Sequence, residues 1–245
     1  MIISKTPFRL SFVGGGTDIS SFYTAYPGKV VSTSINKYMY ITLHKKFNQK
    51  LRVAYSVTEE VDNVSDLRHP LVRESLNQLS IKGGIEITST ADIPAKGTGL
   101  GSSSSYTVGL LNALHEYTSR RISKNDLAEL ACKIEIEKCG EPIGKQDQYA
   151  AAIGGLNLFK FNQDHSVDVE KIEISSAFRE YIQTNSIAFY TGGTRSASGI
   201  LAEQTELSKQ PDKRKVLRRM ADLADDFKAA IESSSMERIN ILMAE

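Results

Sequence analysis

The chain has 245 residues, enough for one large domain or two modest ones, and its 40% apolar and 24% charged residues are an ordinary globular composition. Thirty basic against twenty-nine acidic residues leave a formal charge of +1, which excludes bulk attraction to nucleic acid or an anionic membrane. No run approaches the roughly 18 apolar residues of a membrane span, and the N-terminal MIISKTPFRLSF alternates like a strand rather than a secretory signal, so a cytoplasmic protein is expected.

In chain order, residues 8–13, 29–43, 51–57 and 85–90 are β-branched and aromatic with two-residue alternation, which predicts strands. A helix is predicted over 67–79, ended by Gly83 and Gly84. Helical spacing then runs over 102–118, 124–139 and 145–153, closed by Gly154 and Gly155. LNLFKF and SIAFYTG read as strands, the second leading to Gly192, Gly193 and a helix from near Ser196. A helix over 211–230 opens on Pro211, a suitable first-turn residue. Its run of Lys213, Arg214, Lys215, Arg218 and Arg219 is mixed with Asp212, Asp222, Asp225 and Asp226, the composition of a solvated face. SSMERINILMAE begins a last helix with Ser234 or Ser235 as cap. No glycine follows Gly199 and no stop signal follows that helix, so the sequence reads as cut off inside a domain. The fold class is α+β.

Cys132 and Cys139 lie about two helical turns apart, too far for a disulfide within one straight helix, and reduced thiols are expected. His44, His69, His115 and His165 form no ligand pattern, so no zinc site is expected.

The densest chemical signal is ADIPAKGTGLGSSSSYTVGLLNALHEY. Gly97, Gly99 and Gly101 remove the Cβ atoms that would keep a phosphate from the backbone. Ser102, Ser103 and Ser104 then open a helix, whose unpaired N–H groups and positive dipole end favour an anion. Serine hydroxyls can also bind phosphate oxygens or magnesium. The pattern is neither GxxxxGK[ST] nor GxGxxG. A second feature is IEIEKCGEPIGKQDQYAAAIGGLNLF, where Gly140, Pro142 and Gly144 break two helices and can return Asp147 towards Glu135. Glu137 faces another side of its helix and reads as solvated. At the N-terminus, Gly14, Gly15 and Gly16 make a tight turn after a strand, and Asp18 could either cap the next segment or bind a ligand.

These strings resemble, in order, three motifs of the GHMP kinase superfamily (galactokinase, homoserine kinase, mevalonate kinase and phosphomevalonate kinase). GTGLGSSSS is similar to the phosphate-binding motif, though Pro94-Ala-Lys-Gly97 has one residue more than the galactokinase spacing and leaves Lys96 facing either nucleotide or solvent. KTPFRLSFVGGGTD resembles the first motif, with Gly15 and Gly16 where galactokinases carry Glu-His, which points away from galactose. The resemblance implies a two-domain α+β fold. Its N-terminal ATP-binding domain would cover 1–172, with a mixed sheet and a left-handed βαβ unit. A partial ferredoxin-like domain would cover 173–245.

The resemblance further implies ATP and Mg2+ as cofactors, with Gly97, Gly99, Leu100, Gly101, Ser102, Ser103 and Ser104 at the ATP. Ser103 and Glu135 would hold the metal, Asp147 would be the catalytic carboxylate, and Arg9 would keep Asp147 ionised. Gly15, Gly16, Thr17 and Asp18 would meet the sugar. TPFRLSFVGGGTD, GTGLGSSSS and FYTGGTRSASGIL are most similar to bacterial heptose-phosphate kinases, with L-fucokinase-like proteins next. That likeness implies phosphorylation of the anomeric hydroxyl of a sugar phosphate. Arg195 and Ser196 are candidates for its distal phosphate, or simply a capped helix start with a surface arginine. Because no C-terminal glycine-rich motif follows, a non-catalytic ATP-binding fragment is the competing expectation. The expected partners are the sugar phosphate and a second copy as a homodimer, with no nucleic acid and no membrane.

Overall fold

The computed structural model describes residues 1–94, 98–187, 189 and 210–244. These form two compact units that interleave along the chain: residues 1–9, 34–142 and 147–154 make the first, residues 10–33, 143–146 and 155–245 the second. This partition differs from sequential domains at 1–172 and 173–245. Two long strands, β1 (Ile2–Val13) and β2 (Gly28–Lys45), each contribute residues to both units.

In the first unit a mixed ladder runs β4 (Thr58–Val61), β3 (Leu51–Ala54), β5 (Ile85–Ala91) and then the C-terminal half of β2. β3 pairs parallel with β5, while β3–β4 and β5–β2 are antiparallel, the last from Met39 opposite Ala91 to Lys45 opposite Ile85. The period-two pattern has its expected consequence: Met39, Ile41 and Leu43 point into the core and alternate with partly exposed Tyr40 and Thr42. Helices α2 (Pro70–Gln78), α3 (Ser102–Tyr117) and α4 (Lys124–Cys132) supply Val72, Leu76, Leu110, Leu111, Leu114 and Leu127 to the same core. α3 is buried on nearly every side, and some of its polar groups find partners in the interior while the Tyr106 hydroxyl has none. Ser105 Oγ donates to the Pro7 carbonyl at 2.9 Å and Ser4 Oγ to that of Gly109 at 2.7 Å. A π-helical turn, Lys133–Lys138, continues α4, and α5 (Gln146–Ile153) follows the glycine break.

In the second unit the N-terminal half of β2 pairs with β6 (Leu156–Phe161), which pairs with β7 (Val167–Lys171), both antiparallel. A short helix, α1 (Ser20–Tyr23), joins β1 to β2. Helices α6 (Ser176–Asn185), α7 (Pro211–Glu232) and α8 (Met236–Ala244) bring Phe178, Leu223, Phe227, Ile231 and Leu242 against Val31 and Leu158. Phe12 stacks on Phe227 with ring centroids 5.4 Å apart. The basic run of α7 lies on its solvent side, Lys213, Lys215, Arg218 and Arg219 being exposed.

The α+β expectation holds, with local corrections. The strand expected at 51–57 ends at Ala54, and a separate β4 follows, because Thr58-Glu-Glu-Val61 lacks apolar alternation. The helix expected at 67–79 starts at Pro70, and β7 and α6 were not expected. The strand SIAFYTG falls mainly, and the helix from Ser196 wholly, outside the described residues. Cys132 and Cys139 are free thiols, and burial together with the carboxylates of Glu74, Glu135 and Glu141 pushes the Cys139 thiol up to about 11. Among the described residues no helix is long and apolar enough to cross a membrane.

Candidate active site

Within the first unit, β1 carries Arg9 under the loop before α3. Its N–H donates to the Leu100 carbonyl at 3.2 Å and its Nη1 to that of Gly99 at 2.6 Å. The rest of the guanidinium grips Asp147, the second residue of α5: Nε donates to Oδ1 at 2.7 Å and Nη2 to Oδ2 at 2.9 Å. This planar fork fixes both carboxylate oxygens, a geometry lysine could not supply. Gly101, at φ +73°, caps α3, and a Cβ there would stand 3.2 Å from Asp147 Oδ2 and from Arg9 Cγ. Only glycine permits both the left-handed turn and that approach. At Gly99 a Cβ would meet nothing within 4 Å, so the loop has open space on that side. α3 starts at Ser102, directly after the left-handed Gly101, so the loop runs into a helix N-terminus.

The π-helical turn after α4 places Glu135 in the interior, at 0% exposure. Ser103 Oγ donates to its Oε1 at 2.8 Å, while Ser104 Oγ and Gln148 Nε2 donate to Oε2 at 2.7 and 2.6 Å. Burial pushes the Glu135 carboxyl above the usual carboxylate range, against the lowering effect of Ser104, Ser103, Gln148 and Thr107. A charge buried among neutral donors is the condition a cation relieves. The 2.8 Å between Ser103 Oγ and Glu135 Oε1 also suits magnesium, since adjacent ligands of an octahedral ion at 2.0–2.1 Å stand about 2.9 Å apart. Among the described residues no group of three or more His, Cys, Asp or Glu side chains could hold a metal alone. A cation beside Glu135 would therefore complete its shell with phosphate oxygens or water, as magnesium commonly does.

In the second unit Asp18 is almost fully buried. Oδ1 accepts from the Gly16 N–H and Oδ2 from the Gln146 N–H, both at 3.1 Å. Gly144 is obligatory beside it, because a Cβ there would lie 1.9 Å from Asp18 Oδ2. Asp18 thus braces the residue preceding Asp147 in the chain, and it does not cap α1, whose N-cap is Ile19. Ser11 Oγ donates to Gln146 Oε1 at 2.8 Å.

Two expected contact residues turn their hydroxyls inward. Thr17 is fully buried, with its hydroxyl bonded to the Gly14 and Lys29 carbonyls, and so holds the turn. Ser104 turns its hydroxyl inward to Glu135, leaving only its backbone N–H for a phosphate. A Cβ at Gly15 would meet nothing within 4 Å, which makes Gly15 the open residue of its turn. Gly97, Lys96, Arg195 and Ser196 lie outside the described residues. Gln148 was missed, although a glutamine on the apolar face of QYAAAI was a readable sign of a buried partner.

Residues 67–155 match the family model for the GHMP kinases N terminal domain. Over 211 residues the chain is 30% identical to the D-glycero-alpha-D-manno-heptose 7-phosphate kinase of Campylobacter jejuni, covering 81% of this chain and 62% of that protein. It is 30% identical over 223 residues to the galactokinase of Pyrococcus furiosus, covering 85% and 58%. The chain therefore spans about 60% of the length of these curated relatives. The crystal structure of a D-glycero-D-manno-heptose 1-phosphate kinase from Bacteroides thetaiotaomicron superposes with a TM-score of 0.85 at 26% identity, covering 99% of this chain and 76% of that one. Residues 67–155 thus match a GHMP kinase N-terminal domain, and the chain as a whole is similar in sequence and fold to the heptose-phosphate kinase structure.

Proposed function

We propose that this protein is an ATP- and magnesium-dependent kinase that phosphorylates the anomeric hydroxyl of D-glycero-D-manno-heptose 7-phosphate, giving the 1,7-bisphosphate. The observation that carries the reading is the Arg9–Asp147 fork lying directly against Gly99 and Gly101. The glycine loop and the start of α3 receive the ATP phosphates. Ser103 and Glu135 would hold the magnesium, which would supply charge neutralisation to the phosphates.

Asp147 orients the anomeric hydroxyl and takes its proton as that oxygen bonds to the γ-phosphorus and the bond to the β-phosphate oxygen breaks, releasing ADP. Both Asp147 oxygens already accept from Arg9. The fork therefore fixes how the carboxylate meets the hydroxyl, so alignment and proton transfer act together in the transition state. Arg9 Nη1, directed at the Gly99 carbonyl, keeps the guanidinium beside the transferring group. Asp18 and Gly15 are assigned to the sugar, and Arg195 with Ser196 to its distal phosphate.

The test is kcat/KM with ATP and Mg2+ on heptose 7-phosphate, the free heptose, L-fucose and D-galactose. A preference for the 7-phosphate is expected, on the order of 10-fold or more for one charge-assisted phosphate contact. Preference for L-fucose would replace this reading by a fucokinase-like one, and no transfer to any sugar would leave a nucleotide-binding protein.

A further inference from the structure

The two oxygens of Glu135 stand in different surroundings. Oε1 accepts from Ser103, whose side chain belongs to an exposed residue at the mouth of the loop. Oε2 accepts from Ser104 and Gln148, which are 2% and 0% exposed. Gln148 keeps this contact at a visible cost, because its own Oε1 is buried without a hydrogen-bond partner. A leucine or methionine would fill the same space without that penalty, so the residue is explained by what its Nε2 does. It also follows Asp147 directly in α5, so a single helical turn fixes Asp147 on one side and Glu135 on the other.

We propose that Gln148 and Ser104 are positioning residues: they anchor Oε2 of Glu135 in the interior, so that Oε1, beside the exposed Ser103, is the oxygen offered to the nucleotide's magnesium. This rests on the reading of Ser103 and Glu135 as the magnesium ligands. Two neutral donors on one oxygen restrict the carboxylate's rotation and leave the other oxygen's lone pair directed towards the loop. Neither residue's side chain touches nucleotide or sugar.

The experiment compares binding of β,γ-imido-ATP to the full chain with Mn2+ and in EDTA, and the ratio of the two dissociation constants isolates the metal's contribution. Glu135→Gln should lower the ratio most. Gln148→Met, which keeps the length and removes the donor, should lower it about 10- to 100-fold, the usual cost of losing a partner behind a ligand. Its affinity in EDTA and its Tm should stay at the wild-type values. Ser104→Ala should act in the same direction and reads the same oxygen independently should Gln148→Met fail to fold. Adding Gln148→Met to Glu135→Gln should change nothing further, which a merely structural role would not produce.

If Gln148→Met and Ser104→Ala keep the wild-type ratio while Glu135→Gln collapses it, the positioning assignment is overturned and the metal reading stands. A wild-type ratio in Glu135→Gln would remove both. A loss confined to one of the two variants would keep that residue in the assignment and exclude the other.

Discussion

The first unit buries two glutamates, and they are held in opposite ways. Glu59, on β4, accepts the Tyr55 hydroxyl at 2.8 Å, the Arg68 N–H at 2.7 Å and the His69 N–H at 3.3 Å. Burial pushes its carboxyl upward, but these donors and the Arg68 charge together hold it below the usual range. His69 in turn packs edge-on to Tyr55 and stacks on Tyr106, so the carboxylate ties the segment before α2 to the aromatic cluster. Glu135 has three donors as well, all of them neutral side chains, and there burial wins. Backbone dipoles and a cation neutralise a buried charge, whereas hydroxyls and an amide leave it unbalanced. In the first arrangement the donors outweigh burial. In the second burial outweighs the donors, the imbalance that the proposed magnesium would relieve.

The largest effect expected from the region around Glu135 is catalytic. Asp147→Asn should lower kcat by roughly 10²–10⁴-fold while the affinity for β,γ-imido-ATP stays within about twofold. Steady-state kinetics with a parallel binding titration checks this, and near-normal turnover would remove Asp147 from the chemistry. Arg9 would then be holding an ordinary structural carboxylate.

The stability effects should separate the two glutamates by sign. Glu59→Gln should destabilise the protein at pH 7 by about 1 kcal/mol, the scale of charge-assisted bonds discounted for solvent screening. Glu135→Gln should leave the metal-free protein at least as stable as wild type. The serine hydroxyls can rotate, and Gln148 can turn its unpartnered Oε1 towards the new amide. Urea denaturation of both variants gives the comparison, and equal losses would erase the distinction drawn between the two sites.

The smallest effect is in pH dependence. Because the folded state holds Glu59 below its ordinary value, its contribution is present above the usual carboxylate pKa of about 4.3 and lost as pH falls through the lowered folded value. The stability gap between wild type and Glu59→Gln should therefore narrow as urea titrations move from pH 7 towards pH 3. A gap that widens on acidification would contradict the assignment of Glu59 as a carboxylate stabilised by its neighbours.

The same contrast explains what the sequence made legible. Glu135 and Asp147 could be found because the glycine break between them is local and chemically marked. The pairing of Arg9 with Asp147 joins residues 138 apart, and the order of the motifs rather than any local pattern suggested it. Glu59 was invisible because Thr58-Glu-Glu-Val61 looks like solvent-facing polarity, and two of its three donors come from a later segment. The same polarity concealed β4 itself and the edge strand β7. α6 did carry a sign, since Ser175 accepts the Phe178 N–H at 3.1 Å as an N-cap, but its apolar face is limited to residues such as Phe178 and Ile182. Thr17 and Ser104 show the opposite case. A hydroxyl beside a functional turn reads as a ligand contact, and only packing shows that it faces inward.

The proposed reaction is transfer from ATP to the anomeric oxygen of a heptose that already carries a phosphate. 31P NMR of heptose 7-phosphate incubated with ATP, Mg2+ and the protein tests it most directly. The predicted result is one new phosphate ester coupled to the anomeric proton, formed in step with ADP while the 7-phosphate signal persists. Inorganic phosphate without a new ester, or an ester at any other carbon, would contradict it.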